Sequence, residues 1–211
     1  MLRLADLDAV TLDAFGTLVE LPDPTPALAA ALREHGIERR RDEVQRAFEV
    51  EGRYYKPRSY EGRDTSSLAM LQRDCAHVFL KELDANLDAT AFASAYLDAL
   101  RFSAVTGVEQ ALRRLRAAGL ELAVVANWDV TLSEHLAALG LSELLTIVVT
   151  SAEAGVPKPH ARPFELALER LAVPPERALH VGDSPADEEG ARAAGMHFRW
   201  APVAKAVAQL R

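Results

Sequence analysis

Five short, mainly apolar runs stand out along the chain, at residues 9–12, 120–125, 145–149, 178–181 and 197–200. Each ends near a turn signal and is too short for a buried helix, so each is predicted to be a strand. Between the last four runs the apolar positions change to a helical period. Leu132, Leu136 and Leu139 share one face, and Phe164, Leu168 and Leu171 share another, with Pro163 suited to a first helical position. Strand alternating with helix predicts a parallel sheet covered on both faces, an α/β fold.

Residues 22–105 follow a different pattern. No convincing strand is visible there, but Leu68, Leu71, Cys75, Val78 and Phe79 form one helical stripe, and Phe92, Tyr96 and Leu100 form another. A crossover between two strands needs one helix, so several helices imply an inserted helical domain. Pro22, Pro24 and Pro26 mark its entry, and Ser103 to Gly107 its exit. The expected organisation is a core of residues 1–21 and 106–211 with a cap of residues 22–105. A lid at this point would sit over the carboxyl ends of the strands, where open α/β sheets bind ligands.

Composition narrows the function classes. Of 211 residues, 49% are hydrophobic and 26% charged, which suits a packed domain and argues against disorder. The formal charge of −7 gives no basic footprint for nucleic acid or an anionic membrane. No apolar run approaches the roughly 20 residues that span a bilayer. The first residues already carry charge and lack a signal-peptide core, so a cytoplasmic location is expected. Cys75 is a single cysteine and forms neither an internal disulfide nor a cysteine zinc site. No feature bears on oligomeric state.

Chemistry gathers at the strand ends. The first run ends in Asp13-Ala14-Phe15-Gly16-Thr17-Leu18, a carboxylate at a strand tip followed by a glycine for an unusual turn. By itself this is an ordinary turn sequence. The fourth run ends in His180-Val181-Gly182-Asp183-Ser184-Pro185-Ala186-Asp187. If these two strands are neighbours, Asp13 and Asp183 lie about 5 Å apart. Carboxylates that close either share a proton or share a cation, and Mg2+ is the natural choice. A third element, Gly155-Val156-Pro157-Lys158-Pro159, holds Lys158 in a restricted loop. An ammonium aimed from there would counter an anionic nucleophile and a transferred phosphoryl group.

Taken in this order, DAFGTL, the VPKP lysine and HVGDSPADEEGARAAGM resemble the haloacid dehalogenase-like (HAD) hydrolases over nearly the whole chain. The resemblance implies a Rossmann-like core with an inserted helical cap, an aspartate nucleophile and Mg2+. Most members cleave small phosphate esters through an aspartyl-phosphate, and a minority release halide from 2-haloacids. It implies Asp13 as nucleophile, Lys158 as the charge-neutralising lysine, and Asp187 as an acid that orients Lys158 or meets the metal through water. Metal ligands would be Asp13, Asp183 and the backbone carbonyl of Phe15. Gly16, Thr17, Asn127 and Trp128 would line the site of a small anionic substrate.

Two positions depart from the phosphatase pattern. Phe15 replaces the second aspartate, a proton donor worth about 10²- to 10⁴-fold in rate. An aromatic there is similar to the haloacid dehalogenases, which work without metal. Asp183 points the other way, because those dehalogenases have serine at that position, and no Arg-rich halide segment is found early in the cap. The metal-dependent reading is therefore preferred. After the second core strand, Ala126 replaces an expected hydroxyl, so the Asn127 carboxamide or a backbone N–H would have to serve. Asp129 is placed to cap the next helix. The two weakened positions leave a binding protein with weakened turnover as a third reading. The tract AVVANWDVTLSEHLAALGL resembles a HAD branch with a non-Asp second position and no agreed substrate.

Other candidates read as packing or surface. The segment from Arg53 to Arg63 gathers basic and aromatic residues that would either grip an anion or form a solvated loop. Cys75 lies on an apolar stripe and is expected to be inert. His180 alternates with buried strand residues and is expected to be structural.

Overall fold

The computed structural model describes residues 2–208 and 210. Five strands form one parallel sheet in the order β5-β4-β1-β6-β7: β1 (Ala9–Leu12), β4 (Glu121–Ala126), β5 (Ile147–Thr150), β6 (Ala178–Gly182) and β7 (His197–Trp200). β1 lies at the centre and all four of its residues are buried. Its Leu12 pairs with Val124 on one side and Val181 on the other. Strands covered on both faces must be apolar throughout, which is why these runs do not alternate.

Helices cover the sheet. One face packs its main cluster, including Leu112, Leu115, Leu132 and Leu136, from α5 (Val108–Ala117) and α6 (Leu132–Ala138), with α10 (Val203–Ala208) beside them. The other face packs Phe164, Ala167 and Ala191 from α8 (Arg162–Leu171) and α9 (Pro185–Ala193). The short α7 (Ser151–Ala154) directly follows β5.

Several strand boundaries moved by one or two residues from their expected places, two of them with a visible consequence. β5 starts at Ile147 rather than at residue 145, because Leu145 closes the short 3₁₀ turn Ser142–Leu144. β4 runs on to Ala126, so that residue is the last of the strand and not the first of the loop.

Between β2 (Val19–Glu20) and β3 (Ser103–Ala104) come α1 (Thr25–Glu34), α2 (Arg41–Tyr55), α3 (Thr65–Glu82) and α4 (Ala89–Asp98). These four helices enclose their own apolar cluster, with Leu28, Leu32, Val44, Phe79 and Phe92 at its centre. Phe79 stacks on Phe92 with ring centroids 6.2 Å apart. Asp64 and Asp88 cap α3 and α4, accepting from Ser67 N and Ala91 N at 2.8 Å each. Of the expected stripe on α3, Leu71, Cys75 and Phe79 are buried, whereas Leu68 and Val78 are half-buried. β2 and β3 pair antiparallel and form a neck that the sequence reading of residues 22–105 missed. Strands of two residues carry no readable period. Among the described residues no helix is long and apolar enough to cross a membrane.

Candidate active site

The parallel register brings the ends of β1 and β6 together. Asp13 follows Leu12 directly, and its N–H donates to Val181 O at 2.9 Å. Asp183 follows Gly182 at the end of β6, so the two acids stand side by side at the carboxyl edge. Gly16 turns the chain back with φ +81, and a Cβ there would lie 2.0 Å from Asp183 Oδ2. Only glycine gives this backbone both the left-handed conformation and the close approach. Gly182 is held for a similar reason, since its Cβ would fall 2.3 Å from Asp187 Cγ.

Lys158 reaches the same place from the loop after β5. Its Nζ donates to Asp13 Oδ1 at 2.5 Å, to Asp187 Oδ1 at 2.5 Å and to Val125 O at 2.8 Å. The lysine is only 5% exposed, Asp13 7% and Asp187 1%. Burial works against the ammonium, but the Asp13 and Asp187 carboxylates outweigh it and raise the Lys158 pKa.

Asp187 is fully engaged. Besides Lys158, it accepts from His180 Nε2 at 3.1 Å, Ser184 N at 3.1 Å and Ser184 Oγ at 2.6 Å. Burial resists its charge, yet the His180 bond and the Lys158 charge hold it well below the usual carboxylate range. Asp13 and Asp183 are the opposite case. Burial foremost, with Asp187 nearby, raises both. Asp183 is exposed at the mouth against Gly16, and the preceding Phe15 is 47% exposed.

The loop after β4 serves positions other than those expected for it. Asn127 clamps the lysine loop, donating from Nδ2 to Lys158 O at 3.0 Å and accepting from Lys158 N at Oδ1, 2.7 Å. Both ends of the carboxamide expected to meet a substrate are thus spent on backbone. Trp128 is buried against Phe102 and His135, with centroids 5.2 and 5.8 Å away, and packs the core instead of lining a substrate pocket. Thr17 is also withdrawn: it is wholly buried and its hydroxyl has no partner among the described residues. Gly16, by contrast, is exposed at the mouth.

The Arg53–Arg63 segment is docked, not loose. Tyr55 Oη donates to Asp129 Oδ2 at 2.9 Å, and Val130 N donates to Gly62 O at 3.0 Å. Ser59 is buried with its hydroxyl 3.3 Å from that of Ser151. Arg58 lies over the Tyr54 ring at 4.2 Å. Asp129 does not cap the next helix as expected: Thr131 stands at the N-cap of α6, and Asp129 instead closes the turn before it, accepting from Thr131 N at 2.9 Å. Its hold on Tyr55 was not foreseen, because nothing local signals a contact across 74 positions. Ser184 was also missed, although a serine three residues before an acid at a helix start is a readable capping signal.

A family model for haloacid dehalogenase-like hydrolases matches residues 7–195. The chain belongs to the haloacid dehalogenase-like hydrolases. Over 92 residues it is 48% identical to the haloacid dehalogenase-like hydrolase domain-containing protein 3 of Mus musculus, a stretch covering 43% of this chain and 37% of that relative's length. It is 28% identical over 202 residues to a phosphoglycolate phosphatase of Colwellia psychrerythraea, covering 92% of this chain and 84% of that protein. Among solved structures, the L-2-haloacid dehalogenase of Xanthobacter autotrophicus superposes with a TM-score of 0.66 at 26% identity, covering 91% of this chain and 76% of that one.

The acidic cluster of this HAD chain fits a divalent cation on its donor chemistry. Asp13, Asp183 and Asp187 each offer an oxygen within 4.8 Å of the others. Asp187 has its oxygens committed to Lys158, His180 and Ser184, which leaves Asp13 and Asp183 as the pair with acceptor capacity to spare. Three carboxylates face one ammonium, so the site is short of positive charge; burial foremost, and Asp187 after it, raises Asp13 and Asp183. Hard oxygen donors with room for further ligands suit Mg2+.

Proposed function

We propose that this chain is a phosphatase for small phosphorylated metabolites, with residues 22–105 as its cap. The observation that carries the reading is Lys158, buried between the strand-tip Asp13 and the helix-capping Asp187, beside an Asp183 that has no ion-pair partner among the described residues. Asp13 is the nucleophile. The ammonium of Lys158 occupies Oδ1, so Oδ2 is free to attack phosphorus in line. The bond to the ester oxygen breaks, and the leaving oxygen takes a proton from water. A water molecule then attacks phosphorus, the bond from phosphorus to Asp13 breaks, and inorganic phosphate leaves. Lys158 balances the carboxylate before attack and the phosphoryl charge during it. Asp13, Asp183 and the Phe15 carbonyl would hold Mg2+, which when bound supplies positive charge to the phosphoryl oxygens.

Phe15 supplies no proton to the leaving group. The enzyme is therefore expected to prefer esters with acidic leaving groups and to turn over alkyl phosphates slowly. Hydrolysis of p-nitrophenyl phosphate should disappear in chelator and in Asp13→Asn; activity that survives both treatments defeats the proposal. The exposed aromatic Phe15 and the likeness to a dehalogenase structure favour one alternative, halide release from 2-haloacids. Metal-free chloride release from 2-chloropropionate would establish that alternative.

A further inference from the structure

His180 stands directly opposite Thr11 in the β1–β6 register, and both are completely buried. Its Nδ1 is 2.8 Å from Thr11 Oγ1, and its Nε2 is 3.1 Å from Asp187 Oδ1. The edge of Phe164 meets the imidazole at 90° with centroids 4.9 Å apart, and Phe198 lies 6.2 Å away on a tilted plane. The ring is therefore walled in by aromatics and tied at both nitrogens.

The donor directions follow from the partners. Asp187 receives the Lys158 ammonium and two donors from Ser184, so it is an anion and can only accept. Nε2 must then carry a hydrogen. Full burial, with the neighbouring Lys158 charge, lowers the ring's pKa against the pull of the Asp187 carboxylate and so favours the neutral form. Nδ1 is then a lone pair, and the Thr11 hydroxyl donates to it. One chain of hydrogen bonds runs from Thr11 through His180 to Asp187 Oδ1, the same oxygen that receives Lys158.

We infer that His180 is a positioning residue: as the neutral Nε2–H tautomer, oriented by Thr11, it fixes the Asp187 carboxylate and thereby the aim of Lys158 at Asp13. The effect on turnover rests on the proposed use of Asp13 and Lys158. The tautomer and its bond do not.

The alternative to positioning is plain packing, and paired substitutions separate the two. His180→Phe keeps the shape of the ring but strands the Thr11 hydroxyl and deprives Asp187 of a donor. Adding Thr11→Val removes the stranded hydroxyl, and an apolar pair of matched shape is nearly neutral for stability. The double variant should therefore melt above His180→Phe, below the wild type only by the effect of the donor that Asp187 has lost. Its kcat on p-nitrophenyl phosphate should still be about 10- to 100-fold down, with KM within about twofold. His180→Gln can again donate to Asp187 and should recover most of the kcat. A double variant with wild-type kcat overturns the inference. Nitrogen-15 NMR of the histidine-labelled wild type gives an independent reading. An Nε2–H signal at neutral pH is expected, and either Nδ1–H or imidazolium refutes the inference. Should the wild type hydrolyse no phosphate ester, the proposed function fails and the tautomer alone decides this point.

Discussion

In the sheet core, Asp187 is buried at 1% exposure with Lys158, His180 and Ser184 donating to it; in the helical insert, Glu51 is buried at 5% beside Cys75 and Tyr96. Similar burial has opposite consequences. Asp187 is held well below the usual carboxylate range by His180 and Lys158, working against burial. Burial raises Glu51 and outweighs the Cys75 and Tyr96 side chains beside it. Partners, not depth, decide whether a buried acid stays charged. The core spends hydrogen bonds to keep charge in place, whereas the insert is built from Phe79, Phe92 and Tyr96, and burial there shifts its one buried acid toward the protonated form.

The sharpest way to break this comparison is to remove the core's cation. Lys158→Met leaves Asp13 and Asp187 buried without their common partner. The expected cost is about 3–5 kcal/mol in urea unfolding, because a buried charge is left uncompensated. Turnover should fall by at least about 10²-fold. Asp13→Asn should be equally inactive yet no less stable, since it removes a carboxylate that burial already strains. Equal stability of Lys158→Met and the wild type would show that the core does not depend on pairing.

A smaller contrast uses one glycine from each region. Gly16 has φ +81 and faces Asp183 Oδ2, whereas Gly52 lies inside α2 with open space around its Cβ position. Gly16→Ala should lose about 1–2 kcal/mol from backbone strain alone and should also displace Asp183. Gly52→Ala should gain about 0.5–1 kcal/mol from helix propensity. Chemical denaturation of both variants checks the opposite signs. Two losses would mean that the α2 position is crowded after all.

Much of this was legible in the sequence because the core's needs are local. β1, β4 and β6 read as strands because both their faces are covered, and apolar runs ending in Asp13 and Asp183 announced two acids at one edge. Lys158 was visible from its flanking prolines. What could not be read depends on contacts across long stretches of chain. Asn127 looked like a substrate group until its bonds to Lys158, 31 positions away, used both ends of the amide. His180 read as strand packing, which describes its burial but not its hold on Asp187. Tyr55 gave no sign of reaching Asp129, and the β2–β3 neck is too short for any period.

Glu51 offers the gentlest test, because it measures what the insert lacks. Its folded pKa lies above the unfolded value near 4.5. As pH rises past that value, the unfolded chain releases the proton while the folded chain still holds it. The contribution from the protonated acid is thus complete below pH 4.5 and is lost as pH climbs through the folded pKa. Glu51→Gln does not titrate. It should match the wild type in melting temperature near pH 4 and lead it by about 2–4 °C at pH 8, the shift that about 1 kcal/mol produces in a chain of this size. Thermal melts of both proteins at half-unit steps between pH 4 and 8 read the difference. A gap that stays constant across the range would mean that Glu51 titrates alike in the folded and unfolded chain, and burial would then not distinguish it from an exposed acid.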